Sequence, residues 1–156
     1  MISSTRLHAM VIHFPIALLM VGFLFEVISF FFKKEFFRQS AFYLLILGML
    51  GTVVSYLAGN AAGEGMEEGS LNKAMELHEQ AATISLWLTI ITALVYAGIY
   101  FLKYNRSWLR IIAVLLFAGV ISSIARTGYL GGQLVYRHGA GVELALPCLL
   151  YTSRCV

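Results

Sequence analysis

Four apolar stretches limit what this chain can fold into. They run from about Val11 to Phe32, Ser40 to Ala62, Ala81 to Leu102, and Trp108 to Ala125 or farther. Each is near the ~20 residues that an α-helix needs to cross hydrocarbon. Inside hydrocarbon every backbone N–H and C=O must be paired within the protein, and a helix does this within one segment. The first stretch holds one charge, Glu26, and the third holds none. Pro15 suits the first turn of a helix, where its missing N–H costs little. The first stretch is too long for a signal-peptide core and no Ala-x-Ala-like site follows it, so an uncleaved helix is expected. Composition agrees: the chain is 60% hydrophobic and 12% charged, with a mean hydropathy of +0.82. A soluble domain is about a quarter charged, and so few charges cannot cover a water-facing surface. The expected fold is all-α: an integral membrane four-helix bundle, one domain over residues 1–147 with helices near 11–32, 40–62, 81–102 and 108–125.

The connectors suggest an orientation. Lys33, Lys34 and Arg38 follow the first stretch, and Lys103, Arg106 and Arg110 lie around the third connector. Between the second and third stretches, from about Gly63 to Gln80, stand Glu64, Glu67, Glu68, Glu76 and Glu79 against Lys73. Lys and Arg mark the cytoplasmic side of membrane proteins. Both termini and the acidic connector then face outward, towards the periplasm if this is a bacterial inner-membrane protein. Arg6, Arg126 and Arg137 on that side count against the rule, but the inner side still holds the larger number of basic residues. The acidic connector reads as a turn followed by a helical lead-in, Asn72 to Gln80. No internal repeat is visible by eye.

Gly51, Ser55, Gly59 and Gly63 recur every fourth residue, and Ser123, Thr127 and Gly131 repeat the spacing. Small stripes let membrane helices approach closely. Plain helix packing explains them, and a flat cofactor against the glycine face is the functional alternative. Glu26 is a mid-helix acid, and such carboxylates suggest function by default. It lies two turns from Lys33, so a structural pair with a basic residue such as Arg110 is expected, with proton handling the alternative.

The four histidines, His8, His13, His78 and His138, all fall on the expected outer side. Imidazole is the commonest metal ligand and an axial ligand of haem iron, and bundles hold cofactors with side chains projecting inward from facing helices. Arg126 and Arg137 lie on the same side and suit carboxylates such as haem propionates. Tyr129 and Tyr136 flank them. His8 and His13 are about 140° apart on an ideal helix, so one metal would take both only if His8 lies in a lead-in before the helix. Histidines at a membrane interface can also be incidental. No hydrolase, nucleotide-binding or nucleic-acid motif is present.

Three blocks carry a family resemblance: Leu7-His8-Ala9-Met10-Val11-Ile12-His13-Phe14-Pro15-Ile16, Leu77-His78-Glu79-Gln80-Ala81, and Gly128-Tyr129-Leu130-Gly131-Gly132-Gln133-Leu134-Val135-Tyr136-Arg137-His138-Gly139. They resemble bacterial membrane proteins grouped as "domain of unknown function 2231". The resemblance implies a four-helix membrane domain with His8, His13, His78 and His138 as motif histidines, and it brings no established reaction. Members that occur beside redox proteins support a redox role by association. Ala9 stands where the family has proline, which loosens the expected lead-in around His8.

The leading expectation is a membrane electron-transfer protein with noncovalent haem b near the outer face. His13 and His78 would be the first axial pair, with His8 and His138 a second pair or outer donors. The alternatives are a copper, zinc or iron site made of these histidines with Glu76 or Glu79, and a non-catalytic membrane subunit of a redox complex. The partners are the lipid bilayer, with room for redox proteins and homo-oligomers, and no nucleic acid. The segment Cys148 to Val156 resembles a translated sequencing adapter and holds both cysteines, so disulfides and covalent haem are not expected.

Overall fold

A computed structural model describes residues 4–32, 34–63, 71–102 and 106–140. Lys33, Lys103, Glu64, Glu67, Glu68 and the segment Cys148 to Val156 lie outside them. The described residues form five helices: α1 (Ser4–Val11), α2 (His13–Phe31), α3 (Glu35–Gly63), α4 (Asn72–Phe101) and α5 (Ser107–His138). α1 and α2 together make the first of four segments long and apolar enough to cross a membrane.

The elements run past the apolar stretches. α3 begins at Glu35 and α4 includes the expected lead-in from Asn72. The largest difference is α5, which continues to His138 instead of ending near Ala125. Its 32 residues span about 48 Å at ~1.5 Å per residue, against a hydrocarbon core of ~30 Å. Polar residues entering near Arg126 mark where hydrocarbon ends, not where the helix ends. α5 stops at Gly139, whose φ of 67° is the left-handed conformation that glycine tolerates.

The residues before α2 are helical. Pro15 has no N–H to offer the Val11 carbonyl, and this opens the helix at Ile12. Hydrogen bonds still bridge the opening, Ile12 N–H to His8 O at 3.1 Å and Ile16 N–H to Ile12 O at 3.5 Å. Ile12 itself keeps right-handed helical dihedrals, φ −62° and ψ −24°, so the two helices follow on from one another. Ala9 keeps the N–H that a proline would lack, so α1 runs unbroken through His8.

α2 packs against α3 and α4 against α5. α3–α4 and α2–α5 contacts close the ring, and α1 lies along the far end of α3. Both described termini, Ser4 and Ala140, lie at one end, the terminal end; the two short connectors lie at the other, the hairpin end. Buried positions follow a three-four spacing that keeps a helix seam facing its partners. On α2 they are Pro15, Leu19, Gly22, Glu26 and Ser29. The same pattern returns on α4 seventy residues later, at Ser85, Thr89, Thr92 and Tyr96. Ala41, Leu45 and Gly48 of α3 recur as Ala113, Phe117 and Val120 of α5, seventy-two residues on. The two halves, α1–α2–α3 and α4–α5, therefore share a pattern of buried positions. The repeat is faint in the sequence because only a few paired positions, such as His8 with His78, Ala41 with Ala113 and Gly59 with Gly131, keep the same residue.

Candidate functional site

His8 and His78 occupy corresponding seam positions of the two halves, seventy residues apart. His8 Nδ1 lies 3.0 Å from the Ser55 carbonyl oxygen of α3. His78 Nδ1 lies 3.1 Å from the Thr127 carbonyl oxygen of α5. A carbonyl only accepts, so in each ring Nδ1 carries the proton and the neutral imidazole keeps its Nε2 lone pair. Each ring also lies over a glycine one turn beyond the carbonyl it bonds. A Cβ at Gly59 would stand 3.0 Å from His8 Cε1, and one at Gly131 would stand 3.1 Å from His78 Cε1. The small stripes thus serve packing: Gly48 receives Leu19, Gly51 receives Pro15, and Gly59 and Gly131 receive the imidazoles.

His8 stands against Gly59 in one half and His78 against Gly131 in the other. Gly22 lies against Phe117 and Ser29 against Arg110, and that α2–α5 register carried back along the seam brings His8 level with Gly131. Roughly twenty residues counted from the hairpin end reach about Ile12, Ala82 and Gly128. His8 and His78 each stand about one turn beyond these residues.

Below this level the halves differ. Ser85 Oγ is 2.7 Å from Ser123 Oγ and 2.9 Å from Thr127 Oγ1, a polar clasp between α4 and α5. The position corresponding to Ser85 is Pro15, which offers no hydroxyl. Ser55 Oγ, the counterpart of the Thr127 hydroxyl, is buried without a hydrogen-bond partner.

The other expected site residues lie elsewhere. His13 begins α2 and is exposed, off the seam that carries Pro15 and Leu19. His138 is the last residue of α5 and exposed; it stands seven residues beyond Gly131, about 10 Å along the helix. Arg126, Arg137, Tyr129 and Tyr136 are exposed, and Tyr129, Tyr136 and Arg137 edge a shallow depression of about 260 Å³ on α5. Glu76 and Glu79 are also exposed, with Glu76 accepting from Gln80 Nε2 at 3.1 Å. Among the described residues no three His, Cys, Asp or Glu side chains come together as an ion site, so the four-histidine and histidine–carboxylate ion sites are not assembled there. The signal that separates His8 from His13 was present in the sequence: stepping back from Leu19 and Pro15 by threes and fours reaches His8 and misses His13.

At the hairpin end Glu26 is 1% exposed. Its Oε1 lies 3.6 Å from Arg110 Nε, the pairing expected from the sequence. Arg110 Nη2 donates to Ser29 Oγ at 2.6 Å, and Ser29 Oγ donates to the Glu26 carbonyl at 2.6 Å. The guanidinium lies 4.2 Å over the Phe30 ring.

The chain belongs to the family described as "Predicted membrane protein (DUF2231)", whose profile matches residues 4–144. No curated protein and no solved structure matches it.

Proposed function

We propose that this family member binds one b-type haem through His8 and His78 and passes electrons at the terminal end of the bundle. The observation that carries the reading is the matched pair of imidazoles. They come from positions seventy residues apart in the two halves, and each holds its Nδ1 proton on a backbone carbonyl with Nε2 unspent. Histidine ligands of metals usually hand their other N–H to such an acceptor, which fixes tautomer and ring orientation. Two imidazoles suit an axial pair, because the porphyrin supplies the equatorial ligands; a bare zinc ion asks for three or four protein ligands. Bound haem would supply one-electron chemistry. The chain's part is to hold both rings against Gly59 and Gly131, to keep Nε2 unprotonated and to exclude water below the site with Leu19, Phe117 and Val120, all 0% exposed. The preferred pair is thus His8 with His78, in place of His13 with His78. The basic residues at the hairpin end support a cytoplasmic placement for it, with the termini and the histidines in the periplasm of a bacterial inner membrane.

Protein purified in mild detergent, as isolated or after adding haem, tests the reading by its oxidised and reduced spectra. Low-spin, six-coordinate iron is expected. His8→Ala or His78→Ala should convert it to high-spin haem or lose it, whereas His13→Ala and His138→Ala should retain the low-spin spectrum. Folded protein that takes up no haem sinks the reading. A low-spin spectrum surviving both His8→Ala and His78→Ala overturns the ligand pair.

A further inference from the structure

The two histidines are anchored differently, and the difference bears on which imidazole can let go. His78 stands on α4, a helix of 30 residues that runs without a break from Asn72 to Phe101. Its carbonyl partner belongs to Thr127, whose hydroxyl lies 2.9 Å from Ser85 Oγ. Ser85 Oγ in turn lies 2.7 Å from Ser123 Oγ. This clasp ties α4 to α5 two turns from the imidazole, so the ring and its acceptor are held as one piece.

His8 stands on α1, a helix of eight residues, none of them buried. Isolated helices shorter than ~12–15 residues are marginal in water, so α1 depends on what it is attached to. Its junction with α2 is weakened. Pro15 offers no N–H to the turn before it, and the Ile16 N–H reaches Ile12 O at 3.5 Å, longer than a usual hydrogen bond. The clasp has no equivalent here, since Pro15 takes the place of Ser85 and Ser55 Oγ is buried without a partner. His8 itself is held on α3 by its bond to Ser55 O and by the seat of its ring on Gly59. The stretch 72–80 of α4 has no buried residue either, so burial does not separate the two arms; their anchoring does.

We infer that α1 is a releasable arm of the haem site: His8 gives up its axial position to a small neutral diatomic gas such as carbon monoxide, and His78 keeps the other. Ligand exchange requires the haem proposed above; the looseness of α1 does not. The exchange is donor for donor. The Nε2 lone pair of His8 leaves the iron and a lone pair of the incoming ligand replaces it, with no electron or proton moved. A neutral ligand suits the position, because it replaces a neutral imidazole beside hydrocarbon, where an anion would have to be desolvated. Axial-ligand identity sets the potential, so the exchange makes electron passage responsive to the gas.

Two readouts test the arm and the exchange separately. In haem-free, full-length protein in mild detergent, amide hydrogen exchange at residues 8–11, corrected for intrinsic rates, should run about tenfold faster than at residues 78–81. Equal protection overturns the arm. In reduced, haem-loaded protein, carbon monoxide should replace the low-spin spectrum with that of the carbon monoxide complex. The rate should level off as carbon monoxide rises, because release of His8 becomes limiting. His8→Ala should bind the gas at a rate linear in its concentration, with no plateau. Low-spin protein that ignores carbon monoxide overturns the exchange and leaves the haem reading standing. A plateau that persists in His8→Ala and vanishes in His78→Ala assigns release to His78 and overturns the choice of arm. Protein that takes up no haem overturns the haem reading and the exchange together, and the hydrogen-exchange comparison still decides whether α1 is loose.

Discussion

At Gly59 and Gly131 one methyl group would decide whether an imidazole can stay on its carbonyl. The added carbon would meet His8 Cε1 at 3.0 Å or His78 Cε1 at 3.1 Å, and the ring must move off Ser55 O or Thr127 O to make room. Overpacking of this kind costs about 1–3 kcal/mol. Gly59→Ala and Gly131→Ala should therefore lower thermal stability in detergent by that amount and weaken the low-spin haem signal. Gly128→Ala and Gly132→Ala flank Gly131 but would meet nothing within 4 Å; they should leave both readouts nearly unchanged. A uniform loss across all four variants would show that the glycines act through helix flexibility and not through close approach. Glu26 and Arg110 make a second residue-scale case. Removing one member of a buried ion pair leaves the other uncompensated, at a cost of about 3–5 kcal/mol. Arg110 has 32% of its side chain exposed, so Glu26→Ala should fall near or below the lower end. A double-mutant cycle of Glu26→Gln with Arg110→Gln should recover part of the loss, and the haem spectrum should stay intact in all three variants.

Among the elements, the break at Ile12 has the clearest consequence. Pro15 packs on Gly51 and interrupts the hydrogen-bond ladder between α1 and α2. Pro15→Ala would restore the missing N–H and favour a continuous helix, as α4 already is at the corresponding Ser85. The bundle should remain folded, because α2–α3 packing below Gly51 is untouched. His8 should swing from Ser55 O, so haem uptake should weaken about tenfold, ~1.4 kcal/mol, in a titration of apo-protein. Unchanged affinity would mean that α1 is positioned by α3 alone. The apolar stretches located all four crossings from composition, and the turn-then-helix reading of the acidic connector located the entry to α4 at Asn72. Helix ends were less legible. α5 continues through Arg126, Tyr129 and Arg137 because a helix that has left hydrocarbon can keep its backbone bonds while its side chains meet headgroups and water. Polarity in sequence reports the solvent boundary and carries little information about the helix boundary.

For the molecule as a whole, the two halves share one direction of travel, so both short connectors lie at one end and both histidines of the matched pair at the other. Reporter fusions at Asn105 and Lys73 should report opposite sides of the membrane, with Asn105 cytoplasmic; a periplasmic signal at Asn105 would reverse the proposed orientation and move the histidine site to the cytoplasmic face. The sequence alone determined that the chain crosses a membrane as four helices, since roughly twenty apolar residues in a row have no other way to satisfy their backbone. It also determined that Glu26 needs a partner, because an unpaired carboxylate is too costly in hydrocarbon. Tertiary structure decided which carbonyl and which glycine His8 and His78 each meet. Lipid-facing and partner-facing surfaces are both apolar here, so the contrast that reveals the buried face of a soluble helix is missing. The seam is marked instead by small and hydroxylated residues whose register shows only when helices are laid together. That register puts His8 beside Gly59 and His78 beside Gly131. It is set by close backbone approach at the glycines, an interaction between segments that no single segment encodes.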